Sequence, residues 1–181
     1  MERKILRPLS FLLCSLVVVH VASSQQTSLP ATIAEATWED SRNEYRHSPL
    51  CAAEEVTLWT CEAGKRVYSL CSSRVVSRVS GYVQYRAAKS GKVVLVFPAQ
   101  KQPPLGSFTY HSELNGDASV EFSISGYGYR LVDPLRTNSS ILVRRPDAAA
   151  KTKEISCGGN QTLQVNYTMR LMHDAGVWSD R

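Results

Sequence analysis

The sequence predicts an all-β fold: an antiparallel meander of about eight strands, closed as a small barrel or stacked as a sandwich and tied by disulfides. Three observations point there. From Cys51 onward, short runs of β-branched and aromatic residues alternate with Gly, Asn and Ser turns at meander spacing. Cys51, Cys61 and Cys71 stand at ten-residue intervals, and Cys157 completes the even set expected of a disulfide framework. The chain also opens with the pattern of an export signal, and disulfides persist in the compartments such signals lead to.

That signal is read over residues 1–24. Arg3, Lys4 and Arg7 form a basic start, and Leu9 to Val19 is an apolar run too short for the roughly 20 residues a membrane-spanning helix needs. Ala22 and Ser24 are small residues at the −3 and −1 positions of a cut that leaves Gln25 first. Cys14 leaves with the signal, and Leu13 before it does not fit a lipidation site. Residues 25–50 carry few branched apolar residues between Pro30 and Pro49 and read as a leader with at most one short helix. The β-domain is assigned to residues 51–168 and a C-terminal tail to 169–181.

Within the β-domain, the first hairpin spans Glu54 to Cys71 around an Ala63-Gly64 turn. This sets Trp59 opposite Tyr68 and Leu58 opposite Ser69. Val56, Leu58, Val67 and Cys71 then share one face, with Cys61 on the other beside Trp59, Tyr68 and Leu70. Four cysteines allow three pairings. Cys61 and Cys71 point to opposite faces, and Cys51 is separated from Cys61 by an extended strand far longer than the roughly 4.4–6.8 Å between Cα atoms that a disulfide tolerates. Cys51 with Cys71, and Cys61 with Cys157, is the pairing that remains.

The second hairpin joins GYVQYRAA to KVVLVFPA across Ser90-Gly91, and the unbroken apolar run Val93 to Phe97 reads as a strand buried on both faces. Asn115-Gly116 turns SFTYHSEL into DASVEFSI, with Glu121, Ser123 and Ser125 facing out. Ser125-Gly126 turns the chain again into YGYRLV, and SSILVRR and KEISC complete the meander. Asn138, Asn160 and Asn166 each begin an Asn-x-Ser/Thr triplet, which carries a glycan only in a eukaryotic host; the expected source is bacterial.

Composition narrows the function. The full chain carries a net charge of +5. Removing Arg3, Lys4, Arg7 and Glu2 with the signal leaves 18 basic against 15 acidic residues. The longest basic cluster, Arg144-Arg145, is followed by Pro146 and Asp147 and has no interleaved aromatic residues, so no nucleic-acid partner is expected. Cysteines ten apart lack the short spacing that presents two thiolates to one zinc, and no metal or other cofactor is expected. No phosphate loop, paired-carboxylate pattern or recognisable nucleophile setting is present, so the reading is not an enzyme. The hydrolase alternative requires His111 to meet a serine and a carboxylate in the fold.

The run from Cys51 through TLWTCEAGKRVYSLCSS, SGYVQYR, FSISGYGYRLV and EISC resembles a group of small uncharacterised secreted bacterial proteins. That resemblance covers about residues 51–160 and implies export and an all-β domain. Ser125-Gly126-Tyr127-Gly128-Tyr129 also resembles the Ser-Gly-x-x-Tyr element of periplasmic lysozyme inhibitors, whose eight-stranded barrels place a loop in the lysozyme cleft against its catalytic carboxylates. The resemblance makes Ser125 and Tyr129 the matching positions, with Arg130 beside them. A second inhibitor motif, Thr-Lys-Gly, is absent, because Glu154 follows Thr152-Lys153. The expectation is a periplasmic or secreted non-enzymatic protein that binds a macromolecule such as a wall hydrolase. Its surface would comprise Tyr82, Tyr85, Arg86, Ser125, Tyr127, Tyr129 and Arg130, since Tyr and Arg concentrate energy at interfaces. A structural envelope protein with no dedicated site is the other alternative.

Overall fold

The computed structural model describes residues 47–112, 117–134, 137–147, 149, 151–157 and 173. The expected export signal, expected leader residues 25–46, the Asn115-Gly116 turn, and the triplets at Asn160 and Asn166 lie outside the described residues. So does the tail apart from His173. No described helix is long and apolar enough to cross a membrane.

Nine strands form among the described residues: β1 (Val56–Ala63), β2 (Arg66–Ser72), β3 (Val83–Lys89), β4 (Lys92–Phe97), β5 (Thr109–Ser112), β6 (Ala118–Ile124), β7 (Tyr127–Asp133), β8 (Ser140–Arg144) and β9 (Lys153–Ser156). They make two antiparallel sheets, β1-β2-β3-β4 and β5-β6-β7-β8-β9, each following chain order. No ladder joins the two sheets among the described residues, so the arrangement is a sandwich. Alternation puts Trp59, Tyr68, Leu70, Val83 and Tyr85 of the first sheet, and Val120, Phe122, Leu131 and Ile141 of the second, into one buried core. Phe122 is at its centre, with ring centroids 4.8 Å from Tyr85, 5.4 Å from Phe97, 5.4 Å from Phe108 and 5.2 Å from Tyr129.

Two turns follow directly from sequence. Ser90-Gly91 and Ser125-Gly126 place both central residues at positive φ (50° and 78°, 48° and 81°), the geometry whose twist matches that of the flanking strands. The first hairpin turns one residue later than expected, because Gly64 (φ 61°) takes the first central position. Ala63 therefore faces Arg66, Trp59 faces Leu70, Thr60 faces Ser69 and Cys61 faces Tyr68. A bulge between Thr57 and Trp59 adds a second change. It brings both Leu58 and Trp59 into the core, with Val56 packed against it. Val67 and Cys71 alternate with the core residues Tyr68 and Leu70, so Val56 and Leu58 do not share their face.

The apolar run of β4 is also placed differently. It is the edge strand of the first sheet, and Val93 and Val94 are 47% and 63% exposed. A bulge after Ala87 leaves Val94 without a partner residue on β3. Apolar continuity does not by itself distinguish a central strand from an edge.

Both disulfides form, Cys51–Cys71 and Cys61–Cys157, with Cα separations of 5.4 Å and 5.1 Å. The second joins the first strand to the residue after the last and so clamps one sheet onto the other. The first holds segment 47–55 over the outer face of the first sheet. There the Ser48 amide donates to Thr57 Oγ1 (3.1 Å), and the hydroxyls of Ser48, Ser69 and Thr60 form a buried chain.

Candidate functional site

The covering segment brings an ion pair with it. Arg86, at an outward position in the middle of β3, forks onto Glu55: Nη1 donates to Oε2 at 2.6 Å and Nη2 to Oε1 at 2.7 Å. The same guanidinium donates to the Leu50 carbonyl and to Gln84 Oε1, both at 2.7 Å. Glu55 also accepts from the Tyr82 hydroxyl (2.6 Å) and the Ala52 amide (2.8 Å). Lys101 approaches its Oε1 to 3.2 Å while lying 4.4 Å above the Tyr82 ring. Burial alone raises the Glu55 carboxyl, but the hydrogen bonds from Arg86, Tyr82 and Ala52, with the Arg86 charge, outweigh it and hold it down at about 2. Burial, and then donation to Glu55, raise the Tyr82 phenol. Cys51 and Cys71 sulfurs lie within 4.8 Å of the Glu55 carboxylate. Bonded to each other, they present no thiolate to a metal.

The seven residues expected to form one binding surface are therefore distributed. Tyr82 and Arg86 belong to the Glu55 network on the outer face of the first sheet. Tyr85 is 1% exposed and packs between the sheets, where burial pushes its phenol far up. Tyr129 stacks on Phe122 from the inner face of β7, and burial raises it too. Ser125 and Tyr127 are exposed at the tip of the β6–β7 hairpin, beside Gly126, whose α-carbon faces the Pro146 ring. Arg130 lies on the outer face of β7, opposite Glu121.

On that outer face the structure shapes a groove of about 450 Å³. Arg130, Arg144, Thr109, Ser123 and Thr152 line it, with Glu121 the single acid among the described residues. Arg130 is held at two points of the neighbouring strand β6: its Nε donates to Ser119 Oγ at 2.9 Å and lies 3.4 Å from Glu121 Oε1. Arg144 stands opposite Gly128, whose missing side chain leaves room for the guanidinium; a β-carbon there would lie 3.3 Å from Nε. Sequence reading noted Arg144 only as part of a basic cluster and left it out of the expected surface, although an arginine paired across strands with a glycine is the signal that would have placed it there. Thr152, from the interrupted Thr-Lys-Gly position, enters the same groove.

The groups named for the hydrolase alternative also come close. His111 is the cross-strand partner of Ser119, and its Nε2 lies 3.5 Å from Glu121 Oε2. Ser119 is 1% exposed and its oxygen accepts from Arg130, which leaves no open hydroxyl for a substrate to meet. Glu55, a carboxylate held by four donors, was missed because only the fold brings residue 55 over residue 86.

No family model, no curated protein and no solved structure matches this chain, so the resemblances to secreted bacterial proteins and to periplasmic lysozyme inhibitors rest on the residues quoted for them alone.

Proposed function

We propose that the protein is an exported, disulfide-stapled binding protein that docks a macromolecule with an acidic recess, as an inhibitor of a cell-wall hydrolase does, without a catalytic role of its own. The two disulfides are consistent with an oxidising compartment outside the cytoplasm. The observation that carries the reading is the β6–β7 hairpin. Its exposed tip, Ser125 to Tyr127, ends the strands whose Ser123 and Gly128 line the outer-face groove holding Arg130, Arg144 and Glu121, while Tyr127 itself keeps the inward alternation of Tyr129. Exposed tyrosine and anchored arginine on one hairpin are residue types that interface hot spots favour, and the charge of the groove suits an acidic cleft.

The test is calorimetric titration of the oxidised protein against a panel of purified lysozymes, repeated with Tyr127→Ala combined with Arg130→Ala. The expected outcome is binding weakened by at least about tenfold in the variant, with a near-unchanged unfolding midpoint. Undiminished affinity would remove this surface from the account. Absence of binding throughout the panel would favour the structural envelope role.

A further inference from the structure

A second cavity, remote in chemistry from the groove, opens between the two sheets at one end of the sandwich. It measures about 330 Å³, and Leu95, Val143 and Ile155 form apolar walls around the rings of Tyr68, Tyr85 and Tyr129. Its rim is cationic: Arg66 and Lys89 reach it from the first sheet and Lys153 from the second, and among the described residues no acidic one lines it. Arg66 faces Lys89 directly across β2–β3, and Lys89 faces Lys92 across β3–β4, so three cations lie in one row across three adjacent strands. Like charges directly opposite one another destabilise a sheet. Arg66 continues the inward alternation of Tyr68 and Leu70, and Lys89 that of Tyr85 and Ala87, so both stand at inward positions over the cavity mouth. Among the described residues none of Arg66, Lys89, Lys92 or Lys153 forms an ion pair with a carboxylate.

We infer that this end of the sandwich is a binding site for a single-chain fatty acid anion, whose alkyl tail enters between the sheets and whose carboxylate is held by Arg66, Lys89 and Lys153. The volume is at the small end of the roughly 300–1,000 Å³ range of ligand pockets, which suits one medium-length chain and excludes a two-chain lipid. The walls supply the apolar burial that holds a tail, and the unpaired cations supply the charge-assisted bonds that fix a carboxylate at the surface. A bound carboxylate also neutralises the repulsion along the Arg66–Lys89–Lys92 row. Arg66 Nη1 lies 3.5 Å from the Tyr68 hydroxyl, which places a phenol beside the guanidinium at the mouth.

The site is tested with the oxidised full chain and sodium dodecanoate below its micelle concentration, following tyrosine near-ultraviolet circular dichroism and calorimetric heat. Saturable one-to-one binding with a tyrosine signal is expected, and decanoate should bind on the order of tenfold more weakly for its two missing methylenes. Lys89→Gln combined with Lys153→Gln, both exposed, should weaken dodecanoate by about tenfold and leave the uncharged 1-dodecanol unchanged. Tyr127→Ala with Arg130→Ala should bind dodecanoate as the parent protein does, which separates this site from the hairpin groove. Absence of saturable binding, equal binding of dodecyltrimethylammonium, or equal dodecanoate affinity in the lysine variant would overturn the inference, and the cationic row would then be an inward-pointing guard against edge-to-edge association.

Discussion

Substituting Glu55→Gln keeps the size of the side chain but removes the charge that Arg86 forks upon. Loss of one partner from a buried ion pair costs about 3–5 kcal/mol in general. Here Arg86 keeps its bonds to the Leu50 carbonyl and Gln84, so the expected loss at pH 7 is about 2–3 kcal/mol. The pH dependence gives an independent estimate. A carboxyl held at about 2 instead of 4.5 corresponds to about 3 kcal/mol, reduced by residual solvent screening to about 2 kcal/mol. Because the folded value lies below the unfolded one, this stability is fully present above about pH 4.5 and is lost as the pH falls toward 2. Urea unfolding at pH 7, 4.5, 3 and 2.5 should therefore show the two proteins converging as the solution becomes acidic. A constant difference between them across that range would refute the assigned role of the pair.

Three further outcomes test the architecture. Replacing Cys61 and Cys157 by Ala should cost about 4–5 kcal/mol, and replacing Cys51 and Cys71 about 3 kcal/mol, on the loop-closure argument with separations of 96 and 20 residues; thermal unfolding of each pair variant checks the order. Gly81→Ala should destabilise far more than Gly91→Ala. Both have positive φ, but a β-carbon at Gly81 falls 2.3 Å from the Val75 carbonyl oxygen and one at Gly91 meets nothing within 4 Å, so the second should cost only about 1–2 kcal/mol in urea unfolding. Phe122→Ala should lose about 3–5 kcal/mol by the same measurement, since four aromatic rings pack on it.

The all-β class, the turns at Ser90-Gly91 and Ser125-Gly126, and the disulfide pairing were legible because each depends on local chemistry: positive-φ turn residues, period-two alternation, and cysteine spacing read against strand rise. What depends on a single residue of register was not. One residue of turn at Gly64 and one bulge at Leu58 moved the pairing of the whole first hairpin and the face of Val56. The apolar run of β4 gives no sign of which strand lies beside it, and its edge position emerges only from sheet order. The candidate surface separated for a related reason. Tyr82, Tyr85 and Arg86 are neighbours in sequence, yet alternation sends Tyr85 into the core and Arg86 to the opposite face, where residue 55 waits. The Arg130–Arg144 groove, by contrast, needs only the pairing of β7 with β8, and an alternating reading of both strands contains it.

The most direct test of the proposed function is a titration of lysozyme-catalysed wall lysis with the oxidised protein, using the Tyr127→Ala, Arg130→Ala variant as control. The account predicts that lysis falls to a stoichiometric end point with the parent protein and persists with the variant. Lysis that continues undiminished at saturating parent protein, or falls equally with both, would contradict it.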